Sequence, residues 1–289
     1  MKELILNADD FGMTLGINEA IIRAHREGIL TSTTLMANAA AFDDAIERAR
    51  ANPSLGVGVH LVLVGGGPPV ARAEEVSSLL EDTGELPRSL GTFVARVSTG
   101  RMRQEHIERE LRAQIEKVRA AGIEPTHLDS HKHSHAHPRV MESVARVARD
   151  CGILRIRKPF ENLRDSWNST RIEGVGGLTQ LMGAAAAQIA VPRFVTISRE
   201  YGLKSPDRLL GLATTGQISS AVLRSLIDRV EEGTTEIMMH PGICDDDLAK
   251  SGSRLQMQRQ TELEALLDPE QKRVVSARGI RLISYRELN

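Results

Sequence analysis

Aromatic residues are scarce in this chain: Phe, Tyr and Trp make up 3% of its 289 residues, with one Trp. Long carbohydrate clefts stack sugar rings on aromatic faces, so this composition argues against such a cleft. Cysteine is scarcer, and Cys151 and Cys244 form no C-x-x-C motif, so there is no sign of a disulfide framework. Charge of one sign is also missing. A net charge of −1 leaves no electrostatic footprint for nucleic acid or an anionic membrane. No apolar stretch reaches membrane-spanning length, and Met1-Lys2-Glu3-Leu4 passes directly into an apolar run without the long segment of a signal peptide. A cytoplasmic location is therefore expected. What is present is a 41% hydrophobic, 26% charged composition, suited to a globule with a sizeable core.

Strand and helix signals alternate. Lys2 to Ala8 reads as a buried strand, and residues 18–27 as a helix ended by Gly28. Residues 31–36, 55–64, 125–130, 153–156, 194–197, 235–239 and 280–284 read as further strands. Helices are expected over 41–51, 103–121, 138–150, 174–190, 219–232, 254–267 and 269–277. The 103–121 helix carries an apolar stripe of Ile107, Leu111, Ile115 and Val118. Gly65-Gly66-Gly67-Pro68-Pro69 must be a loop. Roughly seven to eight mostly parallel strands imply an α/β fold, a distorted TIM-like (β/α) barrel, with an open doubly wound sheet as the alternative. No internal repeat or linker divides the chain, so a single domain over 1–289 is expected, with insertions near 70–100 and 160–215.

Metal-binding and acid–base side chains fall where apolar runs end. Asp9-Asp10 closes the first run, His60 closes Val57-Gly58-Val59, and His240 closes Ile237-Met238-Met239. Adjacent strand residues face opposite ways, but a bend at a strand end lets both Asp9 and Asp10 reach one pocket. One carboxylate can then bind a cation while its neighbour takes a proton from water; an N-cap or Asx turn before Gly12 is the plainer use. Five of the nine histidines lie in the eleven residues from His127 to His137. Neutral imidazoles suit a divalent ion such as Zn²⁺. The remaining members of that cluster, Asp129 and His133 among them, can bind substrate or fix the tautomer of a ligating histidine. His240, before Pro241-Gly242, is presented at a strand end, where it can protonate a leaving group or simply hydrogen-bond in the turn.

Arg155 and Arg157 share one strand face, where Arg157 can bind substrate hydroxyls or buttress a carboxylate such as Asp9. Gly65-Gly66-Gly67 is no phosphate loop, because no Gly-Lys-Ser/Thr follows. Ser32, Ser130 and Ser166 lie outside any Gly-x-Ser-x-Gly context, so a serine hydrolase has no support.

The segments Asn7-Ala-Asp-Asp-Phe-Gly12, Gly28-Ile-Leu-Thr-Ser-Thr-Thr34, Pro53-Ser-Leu-Gly-Val-Gly-Val-His-Leu-Val-Leu63, Pro125-Thr-His-Leu-Asp-Ser-His131, Met239-His-Pro-Gly242 and Gly279-Ile-Arg-Leu-Ile-Ser-Tyr-Arg-Glu287 occur in that order. Together they resemble the YdjC-like carbohydrate deacetylase family, which includes chitooligosaccharide and hopanoid-associated deacetylases. The resemblance implies metal-dependent removal of an N-acetyl group from an amino sugar, a distorted barrel and a homodimer. It also implies one divalent cation, Mg²⁺ or Zn²⁺, on Asp10, His60 and His131, with Asp9 as general base and His240, as imidazolium, the general acid. The substrate would be an N-acetylglucosamine oligomer or an N-acetylglucosaminyl glycolipid, whose tail the apolar segment 178–190 could cover. Two other readings compete. One is a metal-dependent hydrolase of a non-sugar amide or a phosphoester on the same scaffold. The other is a non-catalytic, His-rich metal- or sugar-binding protein.

Overall fold

The computed structural model describes residues 1–170 and 188–289. Its first strand, β1 (Lys2–Phe11), is followed by α1 (Leu15–Arg26), β2 (Ser32–Leu35), α2 (Phe42–Arg50) and β3 (Gly56–Leu61). Then come α3 (Leu90–Ser98), α4 (Gln104–Ala120), β4 (Leu128–Ser130) and α5 (Pro138–Asp150). The rest of the described chain adds α6 (Leu163–Thr170), α7 (Val191–Tyr201), β5 (Arg208–Leu210), α8 (Ser220–Asp228) and β6 (Gly233–Met239). It ends with α9 (Asp246–Lys250), α10 (Met257–Leu267), α11 (Pro269–Ala277) and β7 (Arg281–Leu282).

Strands run in the order β4-β3-β2-β1-β6-β5, and β7 pairs with the start of β1. Every pairing among the described strands is parallel. This curled sheet, flanked by helices, is a half-barrel consistent with the expected distorted TIM-like barrel. Past β4, among the described residues, the sheet continues through single bridges, Leu128 with Ile156 and Arg155 with Lys204. β1 lies centrally, so Leu4, Ile5, Leu6 and Ala8 are buried whichever way they point.

Local chemistry sets the helix ends. Thr14 caps α1 by accepting from Ile17 N–H, and Pro138 opens α5 with His137 as its cap. The α4 stripe of Ile107, Leu111, Ile115 and Val118 is buried, as its period requires.

Three expectations need correction. Residues 194–197, read as a strand, lie in α7: the β-branched run misled, whereas Pro192 in the first turn and Gly202 at φ +69° frame a helix. The 153–156 segment forms bridges rather than a continuous strand. The α10 helix starts at Met257, not residue 254, because the preceding turn is tied by Ser253 and Gln256. The irregular stretch at 70–101 contains α3, and the 160–215 stretch supplies β5 to the sheet itself. The helix expected over 174–190 and the apolar segment 178–190 lie largely outside the described residues.

Candidate active site at the strand ends

β1 departs from regular geometry between Ala8 and Phe11, and Asp10 takes φ +68°. A non-glycine residue adopts this left-handed conformation at a cost. Here it is the bend that lets both Asp9 and Asp10 line one cavity. The following turn is held by Asn18, whose Oδ1 accepts from Gly12 N–H at 2.7 Å and whose amide donates to Ala41 O and Asp44.

The cavity measures about 550 Å³. Asp9, Asp10, His60, His131, His133, His240 and Arg259 are among its lining residues. It sits where β1, β3, β4 and β6 end, the face on which (β/α) barrels carry their chemistry. A second groove, of about 610 Å³, is lined by residues such as Leu55, Val57 and Thr126 near the starts of β3 and β4. Among the described residues, no clustered ligating side chains fall there.

Asp10, His60 and His131 offer ligand atoms within 4.8 Å of one another. Asp10 Oδ1 is 3.1 Å from His131 Nδ1 and 3.5 Å from His60 Nε2. Two ligand bonds of about 2.0–2.1 Å at a tetrahedral angle would separate their donors by roughly 3.3 Å, so the spacing fits a small divalent ion. His60 Nδ1 is 2.7 Å from Asp129 Oδ1, which leaves Nε2 facing Asp10. That carboxylate–histidine pairing is how a ligating imidazole is usually oriented. Thr34 Oγ1 donates to Asp129 Oδ2 at 3.0 Å and fixes the carboxylate in turn. Burial disfavours a protonated His60, but Asp129, with Asp9 and Asp10, overrides it and raises the pKa to about 9. Gly65, at φ +128°, allows His131 its place, since a Cβ there would lie 2.8 Å from the imidazole ring.

Asp9 is gripped by Arg157, with Nη1 on Oδ2 and Nη2 on Oδ1, both at 2.7 Å. Burial opposes ionisation of Asp9, yet Arg157 outweighs it and the pKa is lowered. Arg157 also pairs with Asp129 and Glu236, each at 2.7 Å. Tyr285 donates to Glu236 at 2.5 Å, which extends this buried polar network. Across from Asp9, His240 Nε2 lies 3.9 Å from Asp9 Oδ2. Burial dominates over the nearby carboxylates and lowers the His240 pKa to about 4. Burial thus favours the neutral imidazole at rest, and the imidazolium that a general acid needs has to form by proton uptake.

The residues expected to meet substrate divide. His133 lines the cavity at φ +51° with Nδ1 buried and unpartnered. Asp129 and Arg157 are buried at 1% and 0% exposure and do not line the cavity; one orients His60 and the other holds Asp9. His135 bonds Ser130 Oγ and Arg157 O, and His137 caps α5. His127 stacks on Tyr285 with ring centres 3.6 Å apart and lines no part of the cavity.

Sequence reasoning missed Arg259 and Glu262. Arg259, 2% exposed, donates to Asp10 Oδ2 at 2.5 Å. Glu262 accepts from His240 N–H at 2.5 Å. Both occupy the inner stripe of α10 with Leu263 and Leu266. Charged residues at core positions of a helix were the available signal.

The family model described as YdjC-like protein matches residues 3–277. A carbohydrate deacetylase of Geobacillus stearothermophilus is 37% identical over 98% of this chain and 96% of its own. A chitooligosaccharide deacetylase of Klebsiella pneumoniae is 34% identical over 99% of each chain. A solved structure from Enterococcus faecalis, assigned to cellobiose-phosphate cleavage, superposes with a TM-score of 0.81 at 28% identity. That superposition covers 99% of this chain and 98% of the other.

Proposed function

The chain belongs to the YdjC-like family, and from that premise we propose that it is a metal-dependent carbohydrate deacetylase. It would remove the N-acetyl group of an N-acetylglucosamine-containing sugar and release acetate. The observation that carries this reading is the cluster of Asp10, His60 and His131 in a cavity also lined by Asp9 and His240.

A divalent cation on Asp10, His60 and His131 would supply Lewis-acid polarisation of the amide carbonyl and activation of water. The two-His, one-Asp donor set favours Zn²⁺ over Mg²⁺ by ligand softness. Asp9, kept ionised by Arg157, serves as the base that takes a proton from water. His240, neutral at rest, must gain a proton before it can give one. Asp9, 3.9 Å away, is the source once it has deprotonated water. His240 then hands that proton to the departing amine, a good leaving group only when protonated. His133 supplies a ring nitrogen to the bound sugar.

Within this reading the substrate is a short N-acetylglucosamine oligomer, following the name of the Klebsiella pneumoniae relative. A glycolipid substrate is the second choice. The protein acts in the cytoplasm as a homodimer. No helix among the described residues is long and apolar enough to cross a membrane.

Acetate release from diacetylchitobiose by metal-loaded protein tests the proposal, with a chelated sample and a His131→Ala variant alongside. Release that disappears in both controls is expected. Release that survives chelation and the substitution would remove the metal from the mechanism. A protein that binds metal stoichiometrically yet releases no acetate would fit a different amide.

A further inference from the structure

β5 and β6 are sheet neighbours, and the segments that leave their C-terminal ends both border the cavity. The first carries Leu212 and Thr215; the second begins with His240. One side chain joins them. Glu262 receives His240 N–H on Oε2 at 2.5 Å and Gly216 N–H on Oε1 at 3.0 Å. It is 0% exposed and has no ion-pair partner among the described residues.

A buried carboxylate satisfied by two backbone N–H groups is costly, and burial raises the Glu262 pKa to about 7. A merely space-filling role would favour a neutral residue. Each N–H group meets a different carboxyl oxygen of Glu262, so glutamine would turn an NH₂ donor towards one of the two. Glu262 also shares α10 with Arg259, which reaches Asp10, so one helix braces both sides of the cavity.

We propose that Glu262 is a positioning residue that clamps the His240 and Gly216 backbones together and so sets where the His240 imidazole meets the leaving group. This rests on the reading of His240 as the proton donor.

A double-mutant cycle tests it: wild type, Glu262→Gln, His240→Ala and the double variant, all metal-loaded, assayed on diacetylchitobiose. Glu262→Gln alone is expected to lower kcat by about 10–100-fold, part of the general-acid contribution, with KM and metal affinity within about twofold. In the His240→Ala background the same change should cost less than about twofold, because the residue acts through His240. An equal loss in both backgrounds would overturn the proposal in favour of a structural role, and so would no loss in either. If His240→Ala keeps near-normal turnover, the proton-donor reading fails and the positioning role falls with it. Should Glu262→Gln not fold, Glu262→Asp, one methylene too short to bridge both N–H groups, takes its place in the cycle.

Discussion

Arg157 holds Asp9 in a two-pronged grip, two N–H···O contacts of 2.7 Å between residues 148 positions apart in the chain. The fork fixes the carboxylate plane and keeps it ionised against the cost of burial. Lysine would keep the charge without the fork.

Removing Arg157 should therefore cost more than one contact. Arg157→Met leaves Asp9, Asp129 and Glu236 buried without their common cation. A loss of about 3–5 kcal/mol is expected, the usual cost of breaking a buried ion pair. Urea unfolding measures it, and a variant as stable as wild type would mean the three carboxylates are balanced otherwise.

Asp9→Asn keeps the shape and removes the base. Metal binding should persist while turnover falls by about 10²–10⁴-fold. Steady-state kinetics on metal-analysed protein decide, and near-normal turnover would assign the base elsewhere.

Asp129 acts on the cation only through His60. Asp129→Asn should weaken metal affinity by about 10–100-fold, as loss of an orienting partner does in other metal sites. Competition against a chromogenic chelator gives the value; unchanged affinity would show that His60 holds its orientation without Asp129.

His60 predicts a pH dependence. Its pKa, raised to about 9, lies above the ordinary histidine value of 6.5. Such a histidine binds its proton more tightly when folded, so its stabilising contribution is whole below pH 6.5 and is lost as pH climbs through about 9. A cation needs the same nitrogen unprotonated, so metal affinity should rise with pH towards 9, with proton release on binding below it. Calorimetry in buffers of different ionisation enthalpy reads that release directly, and none at pH 7 would contradict a protonated His60.

Gly65→Ala tests the seat of His131. The new methyl would come within 2.8 Å of the imidazole at a backbone φ of +128°. Weaker metal binding with little change in the far-ultraviolet circular dichroism spectrum is the expected result. Wild-type affinity in the variant would show that the loop yields without moving His131.

Much of the site was legible because strand ends are written locally. Apolar runs stopping at Asp9-Asp10, His60 and His240 marked the cavity residues, and the possible buttress of Asp9 by Arg157 is the contact found. The His127–His137 cluster was legible only as a group. Its five histidines do five things: His127 stacks on Tyr285, His131 faces Asp10, His133 the cavity, His135 a backbone carbonyl and His137 a helix start. Two left-handed residues, Lys132 and His133, break the alternation that would have sorted them. α7 was misread because β-branched content outweighed the Pro and Gly at its ends.

The parallel α/β class, most of the alternation of elements, and Asp9, Asp10, His60 and His240 at their strand ends could be read from the chain, since these depend on period, capping and turn chemistry over a few residues. Only the tertiary structure decided which charges meet. Arg157 could have faced substrate or Asp9, and Arg259 and Glu262 could have been solvent residues of a helix. Their roles follow from the curl of the sheet and the packing of α10 across its strand ends, contacts made between residues up to 249 positions apart. No local pattern encodes them, because a buried charge takes the partner that the fold brings within reach.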